Sequence, residues 1–108
     1  MTVDFFAREF GFKALSLPSP EKEICGAYVG DLLSWVMGRA ESGNVWITIM
    51  SNVNVVAVAT LSDASCILLA EGVSLDEEVL ILAKDKGVNV LSSEKSAYDI
   101  AKLISGAV

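Results

Sequence analysis

Val3, Phe6, Ala7 and Phe10 are spaced i, i+3, i+4, i+7, the mark of one helical stripe, with Thr2 and Gly11 placed to cap its two ends. Lys13-Ala14-Leu15-Ser16-Leu17 alternates as a short strand does, and Pro18-Ser19-Pro20 then breaks the chain. Ile24 to Val29 is an apolar run that predicts a second strand. Leu33, Val36, Met37 and Ala40 return to helical spacing within a predicted helix over 32–40, whose apolar face Leu32 and Trp35 widen. Glu41-Ser42-Gly43-Asn44 is a turn, and Val45 to Met50 reads as a buried strand. Ser51 to Leu61 fits both periods, but Ser51 and Asn52 are good caps and tip the prediction to helix.

Cys66 to Ala70 is a short, wholly apolar strand. A helix opens at Ser74-Leu75-Asp76-Glu77-Glu78 and closes at Lys84-Asp85-Lys86-Gly87, with acids first, bases last and a glycine after, as the helix dipole favours. Val88 to Leu91 is the last strand. Ala97, Ile100, Ala101 and Ile104 stripe a final helix, capped by Ser92, Ser93 or Ser96. Strands apolar on both faces and alternating with helices predict an α/β fold: a single domain over 1–108, with a mainly parallel sheet of about five strands and flanking helices in two or three layers.

Composition narrows the function. Apolar residues make up 53% of the 108 and charged ones 20%, which excludes disorder. There is no histidine, so Ser-His-Asp and Cys-His nucleophiles and histidine-ligated zinc are excluded. The net charge of −6 and the scattered cations argue against nucleic acid as a partner. Neither a signal-peptide pattern nor an apolar run of about 18 residues occurs, so no membrane contact and a cytoplasmic location are expected. Cys25 and Cys66 lie in apolar stretches and are expected to be buried and unpaired. Phe5, Phe6, Phe10 and Trp35 lie on helical stripes and are assigned to the core, as is Trp46 on its strand.

No phosphate-cradling glycine motif is present, and Asp76, Glu77 and Glu78 are accounted for by the start of a helix. No catalytic constellation, metal site or cofactor is expected. The remaining candidates follow strand ends, where parallel sheets bind ligands. Asp31, Ser34, Ser51, Asn52 and Asn54 form the candidate ligand-binding set, and helix capping alone would also explain them. A phosphate is expected to prefer the Ser51-Asn52 end, where no carboxylate opposes the helix dipole.

The run Ile24-Cys25-Gly26-Ala27-Tyr28-Val29-Gly30-Asp31-Leu32-Leu33-Ser34-Trp35-Val36-Met37-Gly38 resembles the DRTGG-domain family. Val45 to Ile49, Asn54 to Ala59 and Ile67 to Gly72 extend the likeness. Glu21-Lys22 stand where the family name has Asp-Arg, and Cys25-Gly26-Ala27 stand for Thr-Gly-Gly. The resemblance implies a fold like the N-terminal domain of HPr kinase/phosphorylase and, more remotely, of Mur ligases. It also implies a setting like that of the segment in some bacterial phosphate acetyltransferases or beside CBS domains. The expected function is therefore a non-catalytic regulatory or sensor module of bacterial metabolism, binding a small polar ligand or a partner protein. The alternative is a structural or assembly domain acting through homodimerisation. A small enzyme using Asp31 or Glu71 with Ser34 or Ser51 comes third. A homodimer is expected in either leading case, because the helix over 32–40 and the segment 53–61 carry more apolar surface than one sheet can cover.

Overall fold

Caps set the first helix where its stripe predicts it: α1 spans Val3–Phe10, with Thr2 Oγ1 accepting from the Phe5 N–H at 3.2 Å and Gly11, at φ 73°, donating to the Ala7 carbonyl. The computed structural model describes residues 1–108, and the remaining elements follow in the predicted order. They are β1 (Lys13–Ser16), β2 (Ala27–Val29), α2 (Leu33–Arg39), β3 (Val45–Thr48) and α3 (Asn54–Leu61). After these come β4 (Cys66–Leu69), α4 (Glu77–Asp85), β5 (Val90–Ser92) and α5 (Ala97–Ile104). The ambiguous segment is a helix. Ser96 caps α5 by accepting from the Asp99 N–H.

The strands form one sheet in the order β1-β5-β4-β3-β2, with β1 antiparallel to β5 and the others parallel. Strands β2 to β5 advance one way across the sheet, so their right-handed crossovers all return on one face. There α2, α3 and α4 pack on Trp46, Ile67, Leu69 and Val90. On the opposite face α1 and α5 pack on Val45, Ile47, Cys66, Leu68 and Leu91. The domain therefore has three layers. No helix is long and apolar enough to cross a membrane.

Two assignments made from the apolar pattern are corrected. Ile24-Cys25-Gly26 is not strand: the Cys25 N–H donates to the Gly43 carbonyl, and Gly26 turns into the left-handed region at φ 71°. Cys25 is consequently exposed, while Cys66 is buried under α1 and α5, and both thiols are free. Among the aromatic residues, Phe6 and Trp46 are core, but Phe5 and Trp35 are about half exposed. The inner side of α2 is made by Val36 with Leu33 and Ala40, so Trp35 faces outward with the Arg39 guanidinium 3.7 Å above its ring.

The N-terminal ends of the strands are closed by buried amides. Asn89 Oδ1 accepts from the Ser19 N–H at 2.9 Å, and its Nδ2 donates to the carbonyls of Ser19 and Ser65 at 2.7 and 3.0 Å. Asn44 accepts from the Glu41 N–H and donates to the Cys25 carbonyl at 2.7 Å. Outside this seam, Ser42 Oγ donates to Asp63, and Lys22 Nζ lies 3.5 Å from the same carboxylate. These contacts hold the Asp63 carboxyl below its ordinary value, the Ser42 bond contributing most.

Four outcomes follow from the fold. Asn89→Ala strands the Ser65 carbonyl and the Ser19 N–H in the seam, the Ser19 carbonyl keeping its bond from the Lys22 N–H, and should cost about 2–3 kcal/mol in chemical denaturation. Asn54→Ala, on the surface, should cost less than about 0.5 kcal/mol. Asp63→Asn keeps a side chain that tolerates φ 54° but removes the charge. A depressed carboxylate stabilises above its unfolded value, and that benefit disappears as pH falls through the folded one. The Asp63→Asn variant should therefore melt lower than the parent at neutral pH and converge with it in acid, well below 3.8. Burial pushes the Cys66 thiol up to about 12, so alkylation of the dilute native protein should modify Cys25 alone, and two thiols should react after unfolding.

Candidate functional site

At the carboxyl ends of β2 and β3 the backbone and core are tied together. The Gly30 N–H donates to the Ile47 carbonyl, and the Gly30 carbonyl accepts from the indole N–H of fully buried Trp46 at 2.9 Å. Asp31 follows directly. Its Oδ1 accepts from Thr48 Oγ1 at 2.8 Å and from the Ile49 N–H at 3.0 Å, and Thr48 Oγ1 accepts in turn from the Met50 N–H. Asp31 is therefore a clasp from the end of β2 to the end of β3, and Leu32, not Asp31, stands at the N-cap of α2. The second carboxylate oxygen has no partner within the chain.

Ser34 is exposed on the first turn of α2 and Ser51 is exposed after β3, each without a side-chain bond. Asn52 Oδ1 accepts from the Asn54 N–H at 2.9 Å, and Val53 is the N-cap of α3. The Val55 and Val56 N–H groups donate to the carbonyls of Asn52 and Val53. The first donors of α3 thus have partners inside the chain, which leaves fewer for an anion. The Asn54 side chain lines an apolar groove of about 450 Å³ between α3 and α4, with Val53, Ala57, Leu61, Leu82 and Lys86. Of the five predicted residues, Asp31 is joined to the β3 end, Asn52 and Asn54 meet at the start of α3, and Ser34 and Ser51 stand apart in bonding terms.

Topology marks a further position that the strand pattern alone does not single out. The chain leaves β4 toward α4 on one face and leaves β5 toward α5 on the other, so the switch point of the sheet lies between these two ends. The crevice there is stitched shut. The Glu71 N–H donates to the Lys95 carbonyl at 2.8 Å and the Gly72 N–H to the Ser93 carbonyl at 2.9 Å. Glu71 is held at φ 60°, and Gly72 at φ 72° lies in the left-handed region that favours glycine. The signal for this site is strand order, which periodicity does not contain.

The name-giving segment of the family resemblance lies at the other end of the sheet. Lys22 Nζ reaches Asp63 and, at 3.4 Å, the Ala64 carbonyl, while Cys25 and Gly26 abut Asn44. These residues close the fold beneath β3 and β4, away from Asp31.

A solved structure shares the fold: the CBS and DRTGG domains of the regulatory region of Clostridium perfringens pyrophosphatase, complexed with the activator diadenosine tetraphosphate. The TM-score is 0.72 at 14% identity over 99% of this chain. The chain spans about half, 47%, of that structure. No curated protein matches the sequence significantly. The DRTGG domain pattern itself matches residues 26–107, which take in all four parallel strands and the helices α2 to α5. The chain therefore belongs to the DRTGG domain family.

Proposed function

We propose that the chain is a non-catalytic regulatory module that binds a small polar ligand and works as a homodimer in the cytoplasm of a bacterium. The observation that carries this reading is the fold shared with a regulatory region complexed with a nucleotide activator. An HPr kinase-like setting in metabolism is part of the same reading. Asp31, Ser34, Ser51, Asn52 and Asn54 are the residues assigned to the ligand. The unpartnered oxygen of Asp31 favours hydroxyl or amine donors, and the internally bonded N–H groups of α3 disfavour a bare phosphate at that helix. A sugar or base edge suits this chemistry better than a phosphate group does.

A second reading, an assembly domain without a ligand, is favoured by one observation. Most large exposed apolar side chains fall between Val29 and Leu61, a stretch whose only charges are Asp31, Arg39 and Glu41.

Thermal shift against nucleotides, acyl phosphates and central metabolites separates the two. A ligand present at about 100 times its Kd adds about 2.7 kcal/mol, which raises the melting temperature of a domain this size by several degrees. Asp31→Asn retains an acceptor for Thr48 and Ile49 while losing the charge, and Asn54→Ala breaks no bond of the fold. Both should keep the unliganded melting temperature and reduce the shift. Silence across the panel supports the assembly reading, and steady turnover of any compound would overturn the non-catalytic one.

A further inference from the structure

Apart from Asn54 and Thr60, α3 is wholly apolar, and the sheet covers only part of it. Val55, Val56, Val58 and Ala59 are buried, while Val53, Ala57 and Leu61 stay exposed along the groove against Leu82 of α4. The groove has a volume of about 450 Å³, within the range of small-molecule sites, and buried Val56 also lines it. Helices α3 and α4 follow parallel strands on one face of the sheet, so they run the same way. Asn54 therefore stands at one end of the groove, and Leu61 and Lys86 stand at the other.

Lys86 is the one charged group on this groove, and nothing in the chain engages it. Its ammonium forms no ion pair, whereas Arg8 and Lys22 each hold a carboxylate. Nor is it needed to close the helix ends beside it. At the end of α4 the carbonyls of Leu82, Ala83 and Lys84 accept from the N–H groups of Lys86, Val88 and Gly87. At the end of α3 the carbonyls of Val58, Ala59 and Thr60 accept from those of Ser62, Ala64 and Asp63. Thr60 Oγ1 donates to the Val56 carbonyl. A free cation thus stands at the end of an apolar groove, in a chain of net charge −6.

We propose that this groove is a second ligand site, one that takes a monocarboxylate with an apolar tail of medium length. The carboxylate meets the Lys86 ammonium, and the tail lies along Val56, Ala57 and Leu82 toward Asn54. Charge complementarity selects this occupant. One ammonium balances one carboxylate, whereas a phosphate monoester would bring a second charge into an acidic chain with no second cation on the groove. Tail length follows from the helix: from Asn54 to Leu61 the backbone rises about 10 Å, which suits an acyl chain of about eight carbons. The site is separate from the Asp31 clasp, which lies at the ends of β2 and β3.

Octanoate titrated into the full chain in a calorimeter should bind saturably, and methyl chemical shifts should move at Val56, Ala57 and Leu82. From butanoate to octanoate, each added methylene should tighten binding about two- to fourfold. Octanoate should bind about fivefold tighter than octanol, the gain of a single exposed ion pair. The net charge of the chain opposes such a preference, so it has to come from a local cation. Lys86→Met keeps an aliphatic stem and should abolish the preference while leaving octanol binding unchanged. Ala57→Phe should fill the groove and remove both ligands; should that variant fail to fold, the shift map and Lys86→Met decide. No saturable binding of millimolar octanoate, an affinity independent of tail length, shifts confined to other residues, or a preference that survives Lys86→Met would each overturn the proposal. So would a dimer that Leu61→Lys dissociates, because a second copy would then fill the groove. Asn54, shared with the polar ligand set, is left intact throughout. Failure with octanoate therefore leaves the Asp31 reading standing, and silence of the polar panel leaves this one standing.

Discussion

A parallel sheet must be covered on both faces, and the order of these strands decides what is available to cover each. Because β2, β3, β4 and β5 advance in one direction, all three crossover helices lie on one face. The opposite face is left to α1 and α5, which belong to no crossover. They reach β3, β4 and β5, where Ile47, Leu68 and Leu91 are fully buried, but not β2, where Ala27 and Val29 stay exposed. The central strands are closed on both faces, and β2 is left partly uncovered by the topology itself.

The same constraint divides the two ends of the sheet. At the N-terminal ends, buried Asn44, Ser65 and Asn89 satisfy turns that would otherwise strand backbone groups, so this end is held by buried hydrogen bonds. At the C-terminal ends, the switch point between β4 and β5 is stitched by its own loops. What stays polar and accessible is the β2–β3 end, where Asp31 has one oxygen engaged and one free. The proposed ligand set therefore lies on the side of the sheet that also carries the exposed β2 strand.

Most elements were legible because their signals are local. Thr2, Gly11 and Ser96 act as the caps that the sequence predicts, and the ambiguous segment after Ser51 and Asn52 is a helix as predicted, although Val53, not either of these two, is its N-cap. Burial was less legible. Cys25 sits in an apolar run yet is exposed, because Gly26 leaves the strand conformation and Asn44, far along the chain, holds that turn. Trp35 lies on the apolar helix 32–40 yet faces outward, because the sheet beneath α2 is narrow at its edge and accepts only Val36, Leu33 and Ala40. Asp31 was found as a strand-end residue, but its clasp to Thr48 depends on β2 and β3 being neighbours. The switch point likewise exists only once strand order is known. Periodicity reports which residues share a face, not which faces meet.

The proposed ligand set draws on one short loop that is also part of the frame of the sheet. Gly30 is bonded to Trp46 and Ile47, and Asp31 to Thr48 and Ile49. A ligand that engages the free oxygen of Asp31 would therefore act on the same residue that joins the end of β2 to the end of β3. Binding and the position of β2 would then be linked, and free energy couples such states in both directions by the same factor. A regulatory module needs an element of this kind, and in this fold the Asp31 clasp is where the proposed ligand set and the backbone of the sheet share a residue.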